Sequence, residues 1–183
     1  MRLPHLPLAM RRSFRVALVC AWSLLAAAQA VVVPTPDKAM SFALQKDSRT
    51  WVPKYKAGNS NRILFEMVPE GQTIEAWQEM VAQQIDFTAR PLTEHFEGWK
   101  TMLRRADPKI EITEERLPDS SILATYNSAA GNEASLRRFI QGSDGIYMLA
   151  YHVRPALKQE SIWKLWRSIL SEASLVPNPE KRK

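Results

Sequence analysis

The chain has 183 residues, 45% of them hydrophobic, with 25 Lys and Arg against 19 Asp and Glu, a formal net charge of +6. The excess sits at the two ends: residues 1–30 hold four arginines and no acid, the last six residues are net +2, and residues 31–176 balance at 18 against 18. The basic pI is therefore no argument for a nucleic-acid partner, which would require a basic face on the domain itself. The single cysteine, Cys20, lies in the first segment. Residues 31–183 are thereby excluded from cysteine nucleophiles, thiolate metal sites and redox motifs.

Residues 1–30 read as a secretory signal peptide. Arg2, Arg11, Arg12 and Arg15 precede an apolar run, VALVCAWSLLAAA, that falls short of the roughly 20 residues of a bilayer span. Ala28-Gln29-Ala30 supplies a small-residue cleavage site. An uncleaved N-terminal anchor is the alternative, whereas Val19 is too large for the residue before a lipobox cysteine. A thiol-free exported domain fits a bacterial periplasm, with no stable membrane insertion after cleavage near Ala30. Residues 31–38, interrupted by Pro34 and Pro36, read as a flexible leader.

Residues 40–44 form a possible short strand, and 51–56 and 63–68 a hairpin across Gly58-Asn59-Ser60-Asn61. Pro53 confines the first of these strands to an edge or a bulge. Ile63, Phe65 and Met67 alternate onto one core face. Pro69-Glu70-Gly71 then turns the chain, Thr73 can cap a helix, and Ile74, Trp77, Val81 and Ile85 fall at i, i+3, i+7 and i+11. This spacing predicts a helix over 73–86, with Glu75 and Glu79 on its solvated face. A second helix is expected over 92–106, carrying Leu92, Phe96, Trp99 and Leu103. Its internal Gly98 costs about 1 kcal/mol relative to Ala and suggests close packing against another element. Asp107-Pro108 ends it.

Strands follow at 109–116 and 122–127. The clearest hairpin joins 133–141 to 146–153 across Gly142-Ser143-Asp144-Gly145. Its second strand is apolar on both faces and should be central and covered on both sides. A last amphipathic helix is expected over 159–175, and residues 177–183 read as a disordered basic tail. The order predicts one α+β domain over 39–176: an antiparallel sheet of about five to seven strands packed by three amphipathic helices, on both faces.

The chain contains no Gly-rich phosphate loop, HExxH, GxSxG or EF-hand pattern, so no catalytic residue, metal site or cofactor is assigned. His95 reads as a surface or helix-edge side chain. His152 on the last strand is either a satisfied sheet histidine or, beside a carboxylate, a titrating group. Arg137 and Arg138 point to opposite faces, so one aims at a helix layer, as packed stem or as recognition group. Trp77, Trp99 and Trp166 read as core. Trp51 and Trp163 fall off the apolar stripes and would mark a binding surface if exposed.

Two stretches, FEMVPEGQTIEAWQEMV (65–81) and LRRFIQGSDGIYMLAYHV (136–153), resemble a set of small uncharacterised exported proteins of proteobacteria. The element order is also similar to the PsbP-like α/β sandwich. That likeness implies a mostly non-enzymatic fold class and no catalytic residues. The expectation is a periplasmic binding or adaptor domain with a protein or small-molecule partner in the cell envelope, acting through Arg137, Arg138, His152, Trp51 and Trp163. The alternatives are an envelope enzyme of hydrolase type using His152 and carboxylates, and a membrane-surface role for the basic tail.

Overall fold

The computed structural model of the chain describes residues 33–182. The signal segment expected over 1–30 and the first residues of the leader lie outside them. Nine strands and two α-helices follow in chain order: β1 Lys38–Ser41, β2 Trp51–Gly58, β3 Arg62–Pro69, β4 Glu79–Asp86, α1 Leu92–Ala106, β5 Glu111–Arg116, β6 Ile122–Ser128, β7 Glu133–Gln141, β8 Ile146–Val153, α2 Glu160–Glu172 and β9 Ser174–Pro177. Seven strands form one antiparallel sheet in the order β2-β3-β4-β8-β7-β6-β5, and β1 pairs with β9 in a second sheet. The α+β class and the antiparallel sheet agree with the sequence. Two helices, not three, cover it.

The difference lies in residues 73–86. Gln72 N–H closes a tight turn onto the Pro69 carbonyl at 3.0 Å, with Gly71 at a φ of 87°. Thr73 Oγ1 accepts from Ala76 N–H at 3.3 Å, the cap its position suggests, but the helix goes no further. Gln72 Oε1 instead accepts from Gln78 N–H at 2.7 Å and releases the chain into β4. There β3 and β8 satisfy its backbone on both sides, Val81 lying opposite Met67 and Tyr151. Val81 and Ile85 are four residues apart, a spacing that fits one face of a helix and one face of a strand equally. Two ladders outweigh the local pattern.

The helices lie on opposite faces. Leu123, Leu136, Leu149, Tyr151 and Val153 face α2, which contributes Trp166, Ile169 and Leu170. Ile122, Ala124, Tyr126, Phe139, Ile146 and Met148 face α1, which contributes Leu92, Phe96 and Trp99. All eight residues of β8 are buried, as a central strand apolar on both sides requires. Pro53 sits where β2, an edge strand, slips register against β3.

The last helix is shorter than expected. α2 stops at Glu172, and β9 turns back onto β1 with Ala39 opposite Val176. Asn178 N–H donates to the Asp37 carbonyl at 3.1 Å and its Nδ2 to the Pro36 carbonyl at 2.9 Å. Lys181 pairs with Asp37. Among the described residues no helix is long and apolar enough to cross a membrane.

Gly98 is exposed, and a Cβ built there meets nothing within 4 Å. Among the described residues the expected close packing is absent. Gly98→Ala should therefore stabilise the protein by about 0.5–1 kcal/mol through helix propensity and reduced unfolded-state entropy. Urea titration of both proteins checks this, and a loss of stability would contradict it.

Candidate functional site

Register across β6, β7 and β8 assigns each side chain of the late hairpin to a layer. Arg138 lies opposite Leu123 and Leu149, on the α2 side. It is 3% exposed and donates from Nη1 to the carbonyls of Leu170 and Ser171, both at 2.7 Å, at the C-terminal end of α2. Its Nε reaches Ser121 Oγ at 3.1 Å, and Asp119 supplies the counter-charge. Arg138 is an internal fastener of α2 and no surface group.

The other face carries Tyr126, Ser135 and His152 in one cross-strand row. Glu133 Oε1 accepts from the Tyr126 hydroxyl and lies 3.3 Å from His152 Nδ1. His152 is 4% exposed. Burial pushes its pKa below 6.5, Glu133 pulls it up, Arg137 adds to the depression, and burial wins. Burial likewise disfavours the Glu133 carboxylate, but His152, Tyr126 and Arg137 outweigh that and hold it well below 4.5. Trp77 meets the imidazole edge-on at 6.3 Å, and the Arg154 guanidinium covers Trp77 at 3.8 Å. An acid is thus within reach of His152, but the ring is enclosed. Arg137 is half-buried against Trp99, 5.4 Å from its centroid, with a buried Nε that has no partner among the described residues.

The depressed His152 pKa fixes the sign of a pH effect. The unfolded imidazole takes up a proton near 6.5 and the folded one resists it, so the contribution is present above 6.5 and is lost as pH falls towards the folded value. His152→Gln should flatten the fall in stability just below pH 6.5, measured by urea titration across pH 4.5–8. An unchanged slope would contradict the assignment.

Trp51 and Trp163 do not form an exposed pair. Trp51 is 8% exposed, edge-on to Trp166 at 5.4 Å, and Trp163 is half-buried under Lys158 Nζ at 3.9 Å. Beside them is a polar assembly that the sequence did not suggest. Asp47 Oδ2 accepts from Trp166 Nε1 at 2.9 Å and from Arg49 Nη2 at 2.6 Å. Arg49 also pairs with Glu79, whose Oε2 accepts from the Tyr151 hydroxyl at 2.6 Å. Glu79 therefore faces the interior, not solvent. Burial, then Glu79, pushes the Tyr151 phenol far up, so it stays a donor.

One open cleft of about 400 Å³ lies at the end of the sheet where the β2–β3 turn meets the start of α1. Asn59, Asn61, Arg62, Asp86, Phe87, Thr88, Arg90 and His95 line it. The two loops are tied by Phe87 N–H to the Asn61 carbonyl at 2.9 Å, while Asn59 Oδ1 accepts from Asn61 N–H at 2.8 Å and Arg62 N–H at 2.9 Å. Asp86, on the floor, takes Arg62 Nε at 2.5 Å, Gln84 Nε2 at 2.9 Å and His95 Nε2 at 3.3 Å. Burial lowers the His95 pKa, Asp86 opposes it, and the charges of Arg62 and Arg90 reinforce it. The hairpin turn after β7 presses on this floor: a Cβ on Gly145 would sit 2.2 Å from the Asp86 carbonyl oxygen, so only glycine fits. A second concavity, of about 270 Å³, involves Asp107, Lys109, Asn127, Ser128, Ala129 and Pro155. Neither includes His152, Arg137, Arg138, Trp51 or Trp163. Among the described residues no three His, Cys, Asp or Glu side chains are placed to hold a metal ion.

Comparison with protein-family models, with curated proteins and with solved structures returned no match for this chain.

Proposed function

We propose that this chain is an exported, periplasmic binding or adaptor domain that acts by recognition, with the cleft at Arg62, Asp86, Arg90 and His95 as its ligand site. The observation that carries this reading is the lining: two guanidinium groups, two amides, a threonine and an imidazole around one carboxylate whose oxygens are already engaged. Such groups orient a ligand. Export rests on the signal-like residues 1–30, and cleavage near Ala30 would leave β1 intact. The likeness to the PsbP-like sandwich is supported by an antiparallel sheet with a helix on each face.

A hydrolytic reading has one observation in its favour. His152 and Glu133 are enclosed, but His95 and Asp86 form a histidine–carboxylate pair inside the cleft. A panel of small envelope metabolites separates the two. Backbone amides of Asn59, Asn61 and Thr88 should shift in a saturable way with no loss of the compound. Turnover abolished by His95→Gln would overturn recognition in favour of hydrolysis.

A further inference from the structure

Building on the binding reading, we infer that the cleft takes a small dianionic oxyanion, of the phosphate or phosphate-monoester class, held between Arg62 and Arg90.

Arg62 and Arg90 carry permanent charge, and among the described residues Asp86 is the sole acid in the lining. Asp86 accepts from Arg62 through Nε, which fixes the plane of the guanidinium and leaves its two Nη groups without a protein acceptor among the described residues. Among the described residues Arg90 pairs only with Glu94, at 3.7 Å on an exposed helix turn, a pair of little worth. The Asn59 side-chain oxygen is occupied by two backbone donors, so its amide N–H₂ is what remains to offer. Donors and positive charge exceed acceptors, and a compact oxyanion with several lone pairs meets that surplus better than a neutral polyol or a cation.

The loops that bring these groups together are already braced. The Asn61–Phe87 hydrogen bond locks the two walls, and Thr88 Oγ1 accepts from Arg90 N–H at 3.1 Å. Little backbone ordering is left to oppose binding, and the cost that remains is that of fixing the exposed Arg90 side chain. The volume of about 400 Å³ admits more than a bare phosphate, and Phe87 offers an apolar wall for an organic substituent.

The test uses the full mature chain with inorganic phosphate and glycerol 3-phosphate, at ionic strength held constant with chloride. Calorimetric titration and thermal melting should register binding of at least one phosphate compound and none of chloride. Arg90 is exposed and unburdened by the fold, so Arg90→Ala should leave the unliganded melting temperature unchanged and weaken binding at least about tenfold. Arg90→Lys, with charge but no fork, should fall between. Equal melting shifts with chloride, or full affinity in Arg90→Ala, would overturn the assignment. If neutral compounds shift the Asn59, Asn61 and Thr88 amides while both phosphates leave them still, the anion assignment fails and the binding reading survives. If nothing in the panel moves them, both fail.

Discussion

Asp47→Ala should cost about 3 kcal/mol of folding stability, the largest effect expected of any polar substitution in this chain. Asp47 is 5% exposed and is the hub of the assembly beneath α2. It accepts from Arg49 through Nε, Nη2 and the backbone N–H, at 2.9, 2.6 and 3.1 Å, and from the indole of Trp166 at 2.9 Å. Trp166 is fully buried and stacks on Tyr151 at 4.9 Å with the rings parallel. Without the carboxylate, the indole N–H is left unpaired in the core, which costs about 1–3 kcal/mol by itself. Arg49 keeps Glu79 but loses its second counter-charge, and its partial solvent access moderates that part. Urea denaturation followed by tryptophan fluorescence reads the total. A loss below about 1 kcal/mol would mean the assembly is incidental.

The second large effect is expected from Arg138→Met, which keeps the aliphatic stem and removes the guanidinium. The last carbonyls of a helix have no partner within it, and here Leu170 and Ser171 receive a cation that also suits the negative end of α2. The loss should be about 2–3 kcal/mol, given that hydrogen bonds to charged groups are worth roughly 1.5–3 kcal/mol and are not additive within one group. The position of the damage is the sharper readout. Hydrogen exchange should quicken over residues 170–177 before it does in β7 or β8. Uniform loss of protection would show that Arg138 acts through the sheet and not through the helix end.

Both residues mark what the sequence could and could not convey. The β7–β8 hairpin is legible to the residue because Gly142 and Gly145 bound a turn ahead of the apolar, tyrosine-bearing run IYMLAYHV. α1 was legible because Leu92, Phe96 and Trp99 form one stripe and Asp107-Pro108 stops it. Residues 73–86 were not, since the decision between helix and strand is made by β3 and β8, whose presence on either side no local pattern announces. The Arg137–Arg138 step told that two layers exist but not which arginine would be fully enclosed. The cleft was invisible for a different reason. It is built from a turn, a strand end and a helix start, and Asn61, Arg90 and His95 each look like ordinary surface residues until the fold brings them together around Asp86. Asp47 and Arg49 carry no local signal either, lying in a short connection with no motif.

The strand order has a bearing on how the chain reaches this structure. Five of the six pairings in the large sheet join strands that are neighbours in sequence, and β4 with β8 is the exception. The sheet is thus two meanders, each able to form by local hairpin closure, joined along one seam that must bridge α1 and three further strands. Closing that long loop is the entropically demanding event. The expectation is a folding barrier located at the seam: a conservative Val81→Ala change should slow folding, whereas Ile112→Val at the outer strand should mainly hasten unfolding, as stopped-flow chevrons would reveal. Equal effects on both limbs would place the barrier elsewhere. On this account the segment around β4, the part of the chain whose own pattern favours a helix, is held as a strand in the transition state by β8, before the outer strand is complete.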